Sequence, residues 1–381
     1  MTECNGCDCG QGLSRRRMLQ GGFAIVAAGM VGGKSDELAA GRGLAASSKR
    51  IDAPLRGTVD IHAHYYPEAY LDLIAEDGKS FGAEYRMTDE GFYYKTPAGN
   101  GGPHPIKFIN VALRIDDMDL QGTAVQAISL APPMVYWGGS DLSHKLSTAW
   151  NDAASTAHQA YPTRIVGLLT LPMLYPDRAI DELHRASKLP GIRGVYMGTN
   201  INNHDLDDPL FEPIWTQIET MDLPVFLHPL QTIGGERLHS YYLHNLLGNP
   251  FDTAIAACRL IFGGVLDRHP RLQFSLAHGG GALPILIGRI DHGWQVRPET
   301  KHLPQAPSTY LHRFHYDTIV HSKEIIEFLI KEVGAERVMM GSDYCFDMGY
   351  ERPVHFVEQI NITSAERKMI LGGTAAKLLR L

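Results

Sequence analysis

The stretch Asp60-Ile61-His62-Ala63-His64 places two imidazoles two residues apart. Side chains alternate across a strand with period 2, so on a strand His62 and His64 leave the same face side by side. The preceding run Thr58-Val59-Asp60-Ile61 is strand-like. Such a pair is half of a metal site, made of the ligand type that suits zinc and its neighbours. With 18 histidines in 381 residues, chance His-x-His pairs are expected, so the pair poses a question about the rest of the chain. A genuine site needs further ligands at matching places on other elements.

From Arg56 onward, short β-rich runs alternate with longer amphipathic ones. The strand candidates are Thr58–Ala63, Ala124–Ala131, Ile165–Leu171, Ile192–Met197, Pro224–His228, Leu272–His278, His315–Val320 and Arg337–Ser342. Their apolar character is nearly continuous, as in strands buried on both faces. Pro176–Lys188, Pro209–Met221, Asp252–Arg268, Ser322–Val333 and Ser364–Leu379 carry apolar residues at helical spacing. Asp177 and Asp208 mark helix starts and Gly334 a stop. This alternation predicts an α/β fold, the TIM (β/α)8 barrel. The doubly wound alternative lacks a glycine-rich phosphate loop after its first strand. Between Tyr65 and Asn110, Tyr85-Arg86-Met87-Thr88 and Phe92-Tyr93-Tyr94-Lys95 flank Asp89-Glu90-Gly91, which predicts a small β-hairpin insertion that could form a lid.

In such a barrel, functional residues sit at the C-terminal ends of the strands. Strand one ends in His62 and His64, strand five in His228, strand six in His278 before Gly279-Gly280-Gly281, and strand eight runs into Asp343. Each alone has a bland reading: a satisfied polar residue at a strand end, or a cap on the next helix. Together they form a metal-competent set. Strand four ends Gly194-Val195-Tyr196-Met197-Gly198. Two-metal barrels need a bridging ligand there, and Met197 cannot serve. The expectation is one divalent metal, zinc with manganese as the alternative, held by His62, His64, His228 and Asp343. His278 is left beside it as a proton donor or acceptor, a task that suits imidazole near neutral pH.

The bulk numbers fit an ordinary globular protein: 44% apolar, 20% charged, net charge -7. They give no footprint for nucleic acid and no basic membrane patch. No internal stretch has the length and apolarity of a membrane span. Cys4, Cys7 and Cys9 crowd the N-terminus and only Cys258 and Cys345 lie in the body, so no disulfide framework is implied. The segment Ser14-Arg15-Arg16-Arg17-Met18-Leu19-Gln20 resembles a bacterial twin-arginine export signal, and the apolar run Gly21 to Gly33 has the length of a signal-peptide core. The alternative is a disordered basic tail. Residues 1–46 are therefore expected to be a signal and linker for the twin-arginine machinery, residues 47–381 the barrel, and the protein exported. The three N-terminal cysteines resemble a small metal cluster but fall in the segment that would be discarded.

Longer stretches carry a family resemblance. They are Arg114-Ile115-Asp116-Asp117-Met118-Asp119, Val166-Gly167-Leu168-Leu169-Thr170-Leu171-Pro172, Ala277-His278-Gly279-Gly280-Gly281-Ala282-Leu283-Pro284 through Gly288-Arg289-Ile290 to His292-Gly293, Gly341-Ser342-Asp343-Tyr344 and Ile370-Leu371-Gly372-Gly373-Thr374-Ala375. From about Val59 onward the chain resembles the amidohydrolase superfamily, and more narrowly its aminocarboxymuconate semialdehyde decarboxylase group. The resemblance implies the same metal ligands, with His278 as the catalytic histidine. It implies that Arg289 binds a substrate carboxylate in a neighbouring subunit's pocket, and hence a homodimer with the stretch Leu283–Trp294 in its interface. Tyr242 falls at a pocket tryptophan position and Phe346 keeps an aromatic position after Asp343. Two departures stand out. The group's second substrate-binding arginine, in the insertion, has no counterpart beyond Lys107, and Cys345 stands where proline is usual.

The leading expectation is a mononuclear metal-dependent carboxy-lyase that removes CO2 from a small conjugated or aromatic carboxylic acid. His278 and Asp343 would relay the proton, and Arg289 would hold a carboxylate. The alternative is hydrolysis of an amide, ester or lactone, in which His278 polarises the carbonyl and Asp343 accepts a proton from water. A third possibility is a non-catalytic, ligand-binding barrel, which would be expected to have lost one of the five residues.

Overall fold

In the computed structural model, residues 57–381 are described. The segment assigned above to export, with its three cysteines, lies outside the described residues. The first strand, β1 (Val59–His64), is followed by an antiparallel three-stranded sheet, β2 (Glu84–Thr88), β3 (Gly91–Thr96) and β4 (Gly99–His104). The chain then returns to the main sheet as β5 (Val125–Ser129), β6 (Ile165–Leu169) and β7 (Ile192–Gly198). A two-residue hairpin pairs β8 (Asn200–Ile201) with β9 (His204–Asp205). The main sheet ends with β10 (Val225–His228), β11 (Phe274–Leu276), β12 (Phe314–Asp317) and β13 (Val338–Met339).

The main sheet has eight strands in the order β1-β5-β6-β7-β10-β11-β12-β13, paired in parallel. It closes on itself through backbone hydrogen bonds from Ile61 N to the Met340 carbonyl (2.9 Å) and from His64 N to the Tyr344 carbonyl (2.7 Å). β1, β5, β6, β10 and β12 are buried along their whole length, one face filling the barrel and the other meeting the helices. That double burial is why their sequences read as continuous apolar runs rather than alternating ones.

All eight expected barrel strands are present, several of them shorter than their sequence pattern. Strand eight is two residues long instead of running to Ser342, and the chain beyond it is irregular. Strand seven leaves the sheet at Asp317 rather than Val320, because the Asp317 carboxylate accepts the Ile319 backbone N–H (3.0 Å) and turns the chain. Asp252–Arg268 is two helices, Asn249–Phe262 and Val265–Arg268, broken at Gly263 and Gly264. Ser364–Leu379 is interrupted by a π turn at Met369–Gly373. Asp208 does cap a helical turn, accepting from Leu210 N (2.9 Å), whereas Asp177 lies inside the first turn of Pro176–Ala186. The long helix Ser140–Ala160, not among the helices expected above, buries the stripe Leu142, Leu146, Trp150, Ala154 and Ala157 beside the polar Ser143, Ser147, Asn151 and Ser155.

The expected hairpin is β2–β3, with Thr88 opposite Gly91 and Met87 opposite Phe92. A third strand, the glycine-rich β4, extends it. Aromatic packing fastens this sheet to the barrel. His104 stacks on Tyr94 (centroids 5.5 Å apart) and Tyr66 (5.7 Å), and lies edge-on to Phe108 and Phe346. The Tyr94 hydroxyl donates to the Pro132 carbonyl in the loop after β5 (2.8 Å).

Candidate metal centre

On β1, whose register shifts between Asp60 and Ala63, His62 and His64 form a row toward the site, while Asp60 pairs with Gln126. Asp60 is fully buried at the base of the row. Its carboxylate accepts from Ser342 N (3.0 Å), Gln126 Nε2 (2.8 Å) and His62 N (3.1 Å), which ties the chain after β13 to β1. Arg114, also buried, braces the same strand from behind by donating to Gln126 Oε1 (2.7 Å) and to the His64 carbonyl. The irregular chain beyond β13 then carries Asp343 against the two histidines, its backbone N–H donating to the His62 carbonyl (2.8 Å).

His62, His64, His228 and Asp343 converge, each offering one ligand atom, and these atoms lie within 4.8 Å of one another. His62 Nε2 is 3.1 Å from His64 Nε2, and His64 Nε2 is 3.1 Å from Asp343 Oδ1. The His228 ring lies 5.1 Å from that of His62 and 5.0 Å from that of His64. The opposite ring nitrogens set the tautomers. His62 Nδ1 donates to Asp317 Oδ2 (2.7 Å) and His228 Nδ1 to the Pro229 carbonyl (2.8 Å), while His64 Nδ1 faces Ser129 Oγ at 3.4 Å. The Nε2 lone pairs are thereby turned toward one point.

This donor set fits a cation. Lone pairs of neutral imidazoles facing each other and a carboxylate at about 3 Å repel unless a positive charge lies between them. Asp343 Oδ1 is a buried oxygen without a well-aligned donor. Burial pushes the His64 imidazole down to about 4, and burial with the neighbouring histidines holds His228 well below its usual range. Burial works to raise Asp343, but contact with His64 and the charges of His62, His64 and His278 outweigh it and keep the carboxyl ionised. For His62, burial is opposed and outweighed by Asp317 and Asp343. His62 is thus raised, whereas His64 and His228 as neutral imidazoles and Asp343 as an ionised carboxylate are already in the states that bind metal.

His278 follows β11 and stands beside this group, outside it. Its Nε2 is 3.9 Å from Asp343 Oδ2 and its ring 5.4 Å from those of His62 and His228. Its Nδ1 is buried without a hydrogen-bond partner among the described residues. The turn that presents it runs through four consecutive positive φ angles, His278 (56°), Gly279 (62°), Gly280 (79°) and Gly281 (60°). A Cβ on Gly279 would meet Val320 at 2.4 Å, and one on Gly281 would meet the Pro250 carbonyl oxygen at 2.1 Å, so neither position has room for a side chain.

Strand register revises the reading of strand four. His228 pairs with Gly198 and Leu227 with Met197, so Met197 faces the helices and is fully buried in the core. The residue facing the histidines is Tyr196, its ring 6.2 Å from His64 and 6.0 Å from His228. An aromatic ring occupies the place of a bridging ligand, and the chain offers one metal site among the described residues.

The other candidates lie around the mouth. The Phe346 ring is 5.3 Å from His64 and 4.8 Å from Phe108. Tyr242 is 44% exposed on the loop after β10, and its hydroxyl is raised by partial burial and by the fields of Asp347 and Asp343. Arg289 is exposed on the helix Leu283–Val296 and makes no hydrogen bond or ion pair among the described residues. Lys107 is paired with Asp117 (2.7 Å). Burial pushes the Cys345 thiol up to about 12, which leaves it a neutral, unreactive group. Asp317, at the end of β12, is the residue that the strand-end reading missed. It carries the same signal as the others, hidden by placing the strand end three residues too late.

The amidohydrolase family model matches residues 59–381. The chain is similar to 2-amino-3-carboxymuconate-6-semialdehyde decarboxylase of Dictyostelium discoideum, 31% identical over 335 residues that cover 85% of this chain and 91% of that one. Among solved structures it is similar to 5-carboxyvanillate decarboxylase LigW from Sphingomonas paucimobilis (25% identity, 86% of this chain and 99% of that one, TM-score 0.74). It has the fold of Metarhizium anisopliae IDCase in apo form (24% identity, 85% and 97% covered, TM-score 0.77). No helix among the described residues is long and apolar enough to cross a membrane.

Proposed function

The chain belongs to the amidohydrolase family, and from that premise we propose that it is a metal-dependent, non-oxidative carboxy-lyase acting on a small aromatic or conjugated carboxylic acid. The observation that carries this over hydrolysis is the likeness, across 85% of the chain, to an enzyme that removes CO2 from a carboxymuconate. The 5-carboxyvanillate decarboxylase adds an aromatic acid to the same argument.

His62, His64, His228 and Asp343 would hold the metal. Three imidazoles and one carboxylate favour zinc, with manganese as the second choice. When bound, the metal supplies Lewis-acid polarisation of a substrate oxygen. His278 stands beside it with an imidazole that can carry a proton to the carbon bearing the carboxylate. As that C–H bond forms, the bond to the carboxylate breaks, its electron pair stays with the carbon skeleton, and CO2 leaves. Asp343, 3.9 Å from His278, steadies the imidazolium form while the proton is in transit. Phe346 and Tyr242 offer aromatic walls for a planar substrate. Loading the mature protein with zinc or manganese and assaying CO2 from aromatic and muconate-type acids tests the reading. Release of alcohol or acid from esters and lactones without CO2 would replace it with hydrolysis.

The homodimer belongs to the same proposal. Tyr241, Leu246, Leu247 and Phe251 near the end of the loop after β10, and Ile285 and Val296 on the helix Leu283–Val296, are 45–87% exposed. Exposed apolar side chains in such number suit a second copy of the chain. With Arg289 on the same helix, an Arg289→Ala variant is expected to raise KM; full activity would remove the reason for placing it at a partner's pocket. Export by the twin-arginine route is also proposed, on the sequence of residues 14–33 alone. A chain lacking residues 1–46 should stay in the cytoplasm, and its continued export would contradict the assignment.

A further inference from the structure

We propose that Asp317 is the positioning residue that joins one metal ligand and the proton donor into a single mechanical unit. The inference rests on the carboxy-lyase reading for what His278 does, and on geometry alone for what Asp317 does.

Asp317 ends β12 with a side chain 3% exposed, and every hydrogen bond it accepts is internal. Oδ2 accepts from His62 Nδ1 (2.7 Å) and from the backbone N–H of His278 (3.0 Å). Oδ1 accepts from the backbone N–H groups of Gly279 (2.9 Å) and Ile319 (3.0 Å). The donors come from β1, from the turn after β11 and from the end of β12 itself. One oxygen thus touches both the ring of a candidate ligand and the peptide that carries the candidate acid.

Two consequences follow from the chemistry. A carboxylate on Nδ1 keeps the His62 proton there, so Nε2 presents its lone pair to the ligand group. The same carboxylate holds the first two amides of a turn whose residues have positive φ, a backbone that needs fixing from outside. The other ligands are oriented separately. His228 uses the adjacent Pro229 carbonyl, and His64 has only Ser129 Oγ at 3.4 Å. Neither of those contacts reaches His278. Asp317 is therefore the group through which a change at the metal ligand and a change at the acid are felt together.

Asp317→Asn tests this, because it keeps the shape and replaces one acceptor oxygen by a donor. With the amide oxygen on Gly279 and Ile319, the amide nitrogen would face two donors, His62 Nδ1 and His278 N. The expected result is zinc affinity weaker by about 10–100-fold. At saturating zinc, kcat should remain at least tenfold down with KM little changed. Glu182→Gln, at a buried carboxylate on the helix Pro176–Ala186 that bonds Asn151 and Arg185 and no residue of the site, serves as the comparison and is expected to leave zinc affinity and kcat unchanged. A folded Asp317→Asn protein with wild-type zinc affinity, or one whose kcat returns to wild type at saturating zinc, would overturn the proposal. Should the variant fail to fold, long-range 1H–15N spectra of the wild-type apoprotein decide. A proton on His62 Nδ1 supports the assignment and an Nδ1 without a proton overturns it. If the wild type released no CO2 from any acid, the lyase reading would fail while zinc affinity and the tautomer still judged Asp317.

Discussion

The rim of the barrel and the cover above it are built by different rules. At the rim, His62 and His228 sit on barrel strands and their Nδ1 atoms have defined acceptors, while Asp60 and Asp317 lock neighbouring segments together. Above it, the β2–β4 sheet, the loop after β10 and Phe346 in the chain after β13 meet the site through aromatic faces and exposed side chains: His104 stacked on Tyr94, Phe346 against His64, Tyr242 with a positive φ. Hydrogen bonds at strand ends fix atoms in place, whereas stacked rings slide at small cost. The comparison teaches a division of labour. On the proposed function, the rim would set which chemistry is possible and the cover which molecule undergoes it.

That division can be broken experimentally, beginning with the largest effect. Removing the metal with a chelator should abolish turnover entirely, and adding zinc or manganese back should restore it. His278→Ala should keep metal stoichiometry unchanged and lower kcat by about 10²–10⁴-fold, the usual worth of a general acid. Loss of metal from that variant would show that His278 is a ligand instead. Phe346→Ala should raise KM by up to about tenfold, the scale of a lost aromatic contact, with metal affinity unaltered. His104→Ala, which loosens the inserted sheet, should raise KM by about two- to fivefold on the same basis. If the two cover variants instead weakened metal binding, or His278→Ala moved KM alone, rim and cover would not be separable.

The same contrast explains what could be read from the sequence. His62, His64, His228, His278 and Asp343 were legible because a parallel barrel brings the C-terminal ends of its strands to one rim, so five remote positions become one site. Asp317 obeys that logic, yet Thr318-Ile319-Val320 continues the β-rich pattern past the true strand end. Only the bond from Ile319 N to its carboxylate shows where the strand stops. Tyr196 was missed for a related reason: facing depends on register, and a one-residue uncertainty at the end of β7 exchanges it with Met197. In the cover, β4 has the sequence Gly-Asn-Gly-Gly-Pro-His, whose composition argues against a strand. It forms because β3 provides a pairing edge and His104 an aromatic anchor. Such contacts have no period for a sequence pattern to reveal.

The central claim is that this rim releases CO2 with the help of a bound metal. The most direct measurement is release of labelled CO2 from carboxyl-labelled aromatic acids by the mature protein, followed before and after metal removal and again after metal is restored. Labelled CO2 that appears, stops and reappears in step with the metal is the predicted result. A metal-loaded protein that yields no CO2 from any aromatic or muconate-type acid, yet cleaves an ester or lactone, would contradict it.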